Sequence, residues 1–600
     1  MTYSLSGAWE SRPDPGGSGI GNKWFSKDLN ILEWRKTSIP GCWNSDLRYE
    51  RYEGLFWYRR LFDVPVDILS DPGMEIGIRF NAVNYFCRVW MNGEELGSHE
   101  GGFLPFEFLI RKNILRQSGN LIVVMVENFR APDRVPGELF DWFNYGGITR
   151  DVELIIRNGK RFSSVRITSR ITGDAAAVIN ISWKQNKPFS FSWRIEDRGS
   201  VIASGVSSTG KSEGMIYLDV DDIVFWSPDT PRIYFFEATP EEAGGADGFS
   251  TRFGIREIRI EDTGIILNGK RVRMKGVSLH EELPPFGRSI PRDERFREVR
   301  DIKSLGFNAI RTAHYTHDEA LLDAADEIGL LVLEEIPVYW DLDYYSAGLF
   351  KTASNMIREM IERDFNHPSV VLWSVGNEVP VERPDCDRFI RGLMDVARNQ
   401  DSSRIVTYVS SRFLIDRTRR ASDVCCLNCY LGWYYGNEKD LKNLLEMARE
   451  TAPDKPWIMT EFGACAKYGF RSRARAKFSE ERQSEFIRHY VRTLNSLDWI
   501  SGWFIWIYRD FRSPLRTHRR QGGFNRKGLV SETGRKKLIC SSFPKLIDEK
   551  YDIAPEKPTA LKRLVFEKLE ELACSYLQPP VARLQKKPYD DFYRGKQRHQ

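Results

Sequence analysis

The stretch Val370-Val371-Leu372-Trp373-Ser374-Val375-Gly376-Asn377-Glu378 is a nearly unbroken apolar run that stops at two polar residues. Its length and β-branched content predict a strand buried on both faces, as parallel strands are. Asn377 and Glu378 then stand at the carboxyl end of that strand. In a parallel α/β barrel that end is the catalytic face. Glu378 is therefore a candidate acid or base, and a second carboxylate is expected opposite it.

The surrounding chain supports a barrel. From about 258 to 548 the pattern alternates between strand and helix. Candidate strands cover 272–280, 308–313, 330–335, 369–375, 405–409, 424–427, 457–460 and 503–507, with helical patterns between them at 318–328 and 481–497. Eight such repeats predict a closed (β/α)8 TIM barrel.

Residues 1–157 read as all-β. Short runs such as Glu75-Ile76-Gly77-Ile78-Arg79-Phe80 and Leu121-Ile122-Val123-Val124-Met125-Val126, read as alternating, are separated by turn signals. Asn92-Gly93 predicts a hairpin because both residues tolerate positive φ. Many short strands without helices suggest a jelly roll. The polar, aromatic segment Asp141-Trp142-Phe143-Asn144-Tyr145-Gly146-Gly147-Ile148 reads as a loop, either a plain turn or an arm reaching a neighbouring domain's site. Residues 158–257 form a second all-β unit whose size fits an immunoglobulin-like β-sandwich. Beyond 549, Leu561, Leu564, Val565, Leu569 and Leu572 share one helical face, ahead of a polar tail to Gln600.

Bulk composition excludes several classes. The 600 residues are too many for one core. A net charge of +5 on this length is too weak to point to nucleic acid or a membrane surface. Nine scattered Cys argue against a disulfide framework and for a reducing, cytoplasmic setting. Cys425-Cys426-x-x-Cys429 lacks a second ligand pair at zinc spacing and reads as buried thiols, so no metal is expected. No signal peptide or membrane-spanning run is visible.

On a barrel, polar residues at strand ends converge on one pocket. Strand two ends Arg311-Thr312-Ala313-His314-Tyr315, strand six Asn428-x-Tyr430, strand seven at Glu461, and strand eight brings Trp506 and Asp510. Strands four and seven face each other across eight, so Glu378 and Glu461 can address one atom from opposite sides. Glycoside hydrolysis needs such a pair. No phosphate-binding Gly loop and no Gly-x-Ser-x-Gly elbow competes with this reading. His280-Glu281-Glu282 lacks zincin spacing, and His280 is expected to hydrogen-bond substrate or structure.

The chain resembles glycoside hydrolase family 2, in its β-glucuronidase/β-galactosidase group. The resemblance rests on Ser6-Gly7-Ala8-Trp9, Pro40-Gly41-Cys42-Trp43-Asn44, Gly54-Leu55-Phe56-Trp57-Tyr58-Arg59-Arg60, Trp90-Met91-Asn92-Gly93 and Asn144-Tyr145-Gly146-Gly147-Ile148-Thr149-Arg150. In the barrel it rests on Asn366-His367-Pro368-Ser369-Val370, Gly376-Asn377-Glu378 and Thr460-Glu461-Phe462-Gly463. It implies a retaining exo-β-glycosidase with Glu378 as acid/base and Glu461 as nucleophile. It also implies that Asn377 bonds the sugar 2-hydroxyl, that His314, Asn428, Tyr430 and Trp506 wall the pocket, and that Asp141 reaches a substrate hydroxyl. A carbohydrate partner, no cofactor and a homo-oligomer are expected.

The sugar is read from Gln521-Gly522-Gly523-Phe524-Asn525-Arg526-Lys527-Gly528. Asn525-x-Lys527 looks like the motif with which β-glucuronidases hold the substrate carboxylate, and Arg509 and Arg512 add positive charge nearby. The favoured substrate is a β-D-glucuronide. The alternatives are a β-galactoside or β-galacturonide, or a catalytically silent carbohydrate-binding protein. An Arg that precedes the motif in some glucuronidases is Gln521 here.

Overall fold

A computed structural model describes residues 1–27, 32–208, 210–241 and 245–551, with Val565, Phe566, Lys568 and Glu570 beyond them. At its centre eight parallel strands close into a barrel. They are β1 (Met274–Leu279), β2 (Ala309–Thr312), β3 (Leu331–Glu335), β4 (Val370–Asn377), β5 (Ile405–Ser410), β6 (Cys425–Asn428), β7 (Trp457–Phe462) and β8 (Ile500–Ile505). Every residue of β4 is buried, as the opening run requires. Strand β8 begins and ends earlier than its sequence pattern suggests. After Ile505 the chain leaves the ladder, and Ile507 N–H donates to Lys527 O instead.

Helices α1 (Arg292–Ser304), α2 (Glu319–Ile328), α3 (Ala347–Asp364), α4 (Pro384–Gln400), α5 (Leu441–Glu450) and α6 (Glu480–Asn495) surround the barrel. Their ends follow local chemistry. Asp318 caps α2 by accepting from Ala320 N–H, and Gly329 ends it at φ 85°, a conformation that costs glycine nothing. Strand β5 is followed by only a 3₁₀ turn, Arg419–Ala421.

Two β-sandwiches precede the barrel. The first pairs a six-stranded sheet with a four-stranded one. Its hairpin turns at Asn92 and Gly93, both at positive φ. The run Leu121–Val126 does not alternate as expected, because all six residues are buried. Ile122, Val124 and Val126 enter the sandwich core. Leu121, Val123 and Met125 enter a second small core with Trp24, Trp34, Trp57 and Trp90. The second sandwich has sheets of three and four strands around Trp183, Phe191 and Phe236. A three-stranded sheet then puts Ile258, Ile265 and Leu267 in a cluster with Met274, Leu333, Leu372 and Phe504.

All eight described Cys are buried and unbonded. No helix among the described residues is long and apolar enough to cross a membrane. Most of the helix expected over 561–572 lies outside the described residues. Of that segment, Phe566 joins the barrel core, and Glu570 accepts from Phe413 and Leu414 N–H.

Candidate active site

The carboxyl ends of the barrel strands bring most of the expected residues together. Glu378 follows β4 with φ at 52°, a conformation uncommon for a residue with a side chain. Neighbouring segments fix it there. Glu378 N–H donates to Val409 O at 2.8 Å, and Asn377 O accepts from Trp340 N–H at 3.2 Å. Its carboxyl Oε1 accepts from Asn428 Nδ2 at 2.9 Å and Oε2 from Trp340 Nε1 at 3.1 Å. Backbone strain of this kind clusters at functional positions.

Glu461, near the end of β7, is held equally firmly. Oε1 accepts from Arg311 Nη1 at 2.7 Å, and Oε2 accepts from Tyr430 Oη at 2.8 Å. Burial pushes its pKa up, Arg311 and His314 oppose this, and the like charge of Glu378 adds to the rise. Burial, followed by Glu461, raises the Tyr430 phenol well above its ordinary value, so it stays a donor.

Arg311, from β2, organises the floor. It is fully buried and spans Glu461, both oxygens of Glu335 at 3.0 Å, and Asn377 Oδ1 at 2.8 Å. Burial alone would raise Glu335, but Arg311 first and His314 next hold it at about 2. Glu335 in turn contacts His314 Nδ1 at 2.9 Å and accepts from Ser374 Oγ at 2.7 Å. Sequence reasoning quoted Arg311 only as part of a strand end and passed over Glu335. Both carried a signal, since an ionisable residue inside or closing an apolar barrel strand has few places to go. Replacing Arg311 with Met should strand two buried carboxylates and cost about 3–5 kcal/mol of stability. Urea unfolding measures this, and a loss below 1 kcal/mol would contradict the assigned network.

The walls follow. His314 stacks on Trp506, with ring centroids 4.8 Å apart. His280 Nδ1 lies 3.2 Å from Tyr315 Oη. Burial, with His314, His317 and two arginines adding to it, drives its pKa far down, so it is neutral. Among the described residues, the buried Asn377 Nδ2 and His280 Nε2 have no hydrogen-bond partner. The aromatic loop of the first sandwich is an arm rather than a plain turn. Its Trp142 packs against His280, His314 and Tyr339.

Asp141, beside Trp142, accepts from Ser513 Oγ and from Arg516, and lies 3.4 Å from Asn525 Nδ2. Asn525 Oδ1 accepts from Lys527 N–H at 3.3 Å, shaping the Asn-x-Lys turn. Lys527 is 1% exposed. Its Nζ meets Tyr434 Oη at 2.5 Å and lies over the rings of Tyr430 and Tyr434. Arg516 Nη1 donates to the same Tyr434 oxygen at 3.1 Å. Neither Tyr434 nor Arg516 was singled out from sequence, because loop positions carry no periodicity.

Arg509 is a correction. It turns to the outer helix α1 and pairs with Glu298 at 2.9 Å, so it does not join the substrate set. Arg512 lies over the Phe143 ring and donates to Glu50. Among the described residues, Asp323, Asp326 and His367 could bring metal ligands together. They are already engaged, His367 with Asp326 at 2.6 Å and Asp323 with Arg292 at 2.6 Å.

Two carboxyl groups at facing strand ends of a (β/α)8 barrel, ringed by aromatic and amide side chains, define a glycoside hydrolase centre. The family comparison agrees. Residues 2–158 match the sugar binding domain of glycosyl hydrolases family 2, and residues 258–537 match that family's TIM barrel domain. The chain belongs to glycosyl hydrolases family 2. It is 28% identical over 572 residues to a β-glucuronidase of Paenibacillus borealis, covering 88% of this chain and 93% of that one. It is 28% identical over 603 residues to the Canis lupus familiaris β-glucuronidase, covering 91% of each. The fold superposes on the β-glucuronidase of Ruminococcus gnavus in complex with D-glucuronic acid with a TM-score of 0.83, at 26% identity, over 90% of this chain and 97% of that one.

Proposed function

We propose that the protein is a retaining exo-β-glucuronidase. The observation that carries this is Lys527. It is a buried ammonium with neutral hydrogen-bond partners and, among the described residues, no carboxylate within ion-pair distance. A buried charge without a counter-charge is costly. A substrate carboxylate supplies the missing anion, and Tyr434, accepting from both Lys527 and Arg516, keeps its own proton to donate. A neutral hexose would leave that charge unmatched.

The chemistry follows from the two glutamates. Glu461 attacks the anomeric carbon while Glu378 gives its proton to the leaving oxygen. Glu378 then takes a proton from water, which releases the sugar with retained configuration. Asn377 Nδ2, without a partner among the described residues, suits a bond to the sugar 2-hydroxyl. The test is kcat/KM across aryl β-glucuronide, galacturonide, galactoside, glucoside and mannoside. The glucuronide should lead the three neutral glycosides by at least about 10²-fold, a lower bound beside the roughly 10⁴–10⁵-fold with which a site built for a polar group rejects analogues lacking it. A galactoside lead would overturn the proposal.

The pH profile provides a second test. Glu461 must be ionised to attack, and its pKa is raised. Activity should therefore disappear, as pH falls, above the ordinary glutamate range. Glu378→Gln, assayed with a dinitrophenyl leaving group that needs no proton, should leave this acid limb in place, because Glu378 carries its proton and no charge when it serves as the acid. A limb lost in the variant would mean that it belongs to Glu378 and not to Glu461.

A further inference from the structure

Arg288 lies between β1 and α1 of the barrel and is 2% exposed. Among the described residues no carboxylate comes within ion-pair distance of it, and its Nε and Nη1 have no hydrogen-bond partner. Its guanidinium carbon stands 4.7 Å from the ring centroid of Phe103 and 4.8 Å from that of Tyr315. Aromatic rings attract a cation, but they return none of the N–H bonds that burial removes. A buried charge is ordinarily paired.

The surrounding carboxylates are committed elsewhere. Glu281 takes Arg150 and Arg295, Glu53 takes Arg130, and Glu127 takes Arg134. Glu282 accepts from Arg512 N–H, and burial pushes its pKa up to about 7, so near neutral pH it carries only part of a charge.

Arg288 lines a cavity of about 20 Å³ behind the aromatic arm. The other lining residues all come from the first sandwich and the arm, among them Asn84, Asn128, Arg130, Arg134 and Trp142, and none is acidic. The amide groups are spent on backbone. Asn128 Nδ2 donates to Asn144 O at 3.1 Å, Asn144 Nδ2 to Asn128 O at 2.7 Å, and Asn84 Nδ2 to Tyr145 O at 2.6 Å. Three guanidinium groups thus border one small space, and the Arg288 group is the one without a carboxylate. A single water needs roughly 10–15 Å³ by this measure, so the space suits one monoatomic ion and is too small for phosphate or sulfate.

We infer that this cavity binds one small anion, chloride in the natural setting, which serves as the counter-ion of Arg288 and joins the barrel to the first sandwich behind the catalytic pocket. A water would fit the same volume but would leave the charge unanswered. The position gives binding a consequence. Trp142 lines the cavity and also packs against His280 and His314, and Phe140 lies 4.5 Å from Trp142. An anion that binds only where sandwich and barrel meet stabilises that junction by mass action.

The experiment uses the full chain. Crystals grown without halide are soaked in sodium bromide, and anomalous diffraction at the bromine edge locates bound bromide. In parallel, urea unfolding of the wild type and of Arg288→Met is followed as sodium chloride replaces sodium isethionate, whose anion is too large for the cavity, at constant ionic strength. A bromide peak should lie within hydrogen-bond distance of Arg288 Nε or Nη1. The wild-type midpoint should rise with chloride and, once the site is filled, with the logarithm of its concentration. Arg288→Met should show no such rise. Water alone in the cavity, bromide only at other sites, bromide at crystal concentration without a chloride response in solution, or a chloride response unchanged in Arg288→Met each overturn the inference. If Arg288→Met does not fold, the bromide site and the chloride response of the wild type decide. None of these readouts uses turnover, so they stand whichever sugar is cut.

Discussion

Glu461→Gln should lose turnover of an aryl β-glucuronide by on the order of 10⁴-fold or more, the scale of removing a covalent nucleophile. Its folding should survive. The amide oxygen can still accept from Arg311, and the amide NH₂ can donate to the oxygen of Tyr430, so neither present contact is left empty. The partner variant behaves differently. Glu378→Gln cannot protonate a leaving oxygen, so its loss should be severe for poor leaving groups and small for dinitrophenolate in the first step. Steady-state rates of the two variants against leaving-group acidity separate the roles. If Glu461→Gln retained a tenth of wild-type activity, or if leaving-group dependence steepened in Glu461→Gln rather than Glu378→Gln, the roles would have to be exchanged or abandoned.

The barrel was legible because its strands are apolar on both faces and short, and their polar residues fall at one end. Residues 370–378 carry that pattern by themselves. All eight expected strand windows coincide with strands, and only β8 is displaced. The outer face of Leu121–Val126 was not legible. Its burial depends on the segment bearing Trp24 and Trp34, about a hundred residues earlier, which no local period announces.

The site was legible where a residue ends a strand and obscure where it acts through a loop. Glu378, Glu461, His314, Asn428 and Tyr430 follow from strand ends. Arg509 shows the limit of proximity in sequence. It lies one residue before Asp510, yet it turns outward to Glu298, while Asp510 takes Lys537 and Arg526 to fasten the closing loop. Arg516 is the reverse case. It sits in an arginine-rich loop that reads as solvated surface, but it reaches Asp141 of the first sandwich and Tyr434 of the β6 loop at once. Only the closed barrel, with the aromatic arm laid across it, makes those three residues neighbours.

Lys527→Met should lower kcat/KM for the glucuronide by about 10²–10³-fold, or about 3–4 kcal/mol, within the range lost when one partner of a buried charge pair is truncated. Activity on neutral glycosides should stay at its wild-type level, so the discrimination collapses rather than the catalysis. Stability should move the other way or not at all. In the free protein the Lys527 ammonium is buried against Tyr430 and Tyr434, with no carboxylate within ion-pair distance among the described residues. Methionine fills a similar volume without that cost. A side chain that stabilises nothing, yet decides which sugar is cut, is present for the substrate. A structural lysine would show the opposite result, with a lower unfolding midpoint in urea and all substrates affected alike. Arg516→Met separates the cations further. Arg516 already has Asp141 as a counter-charge, so its loss should leave Asp141 unpaired, reduce stability, and weaken glucuronide turnover less than Lys527→Met does. If the two variants were equal in both measurements, the carboxylate would have to be shared evenly between the two cations.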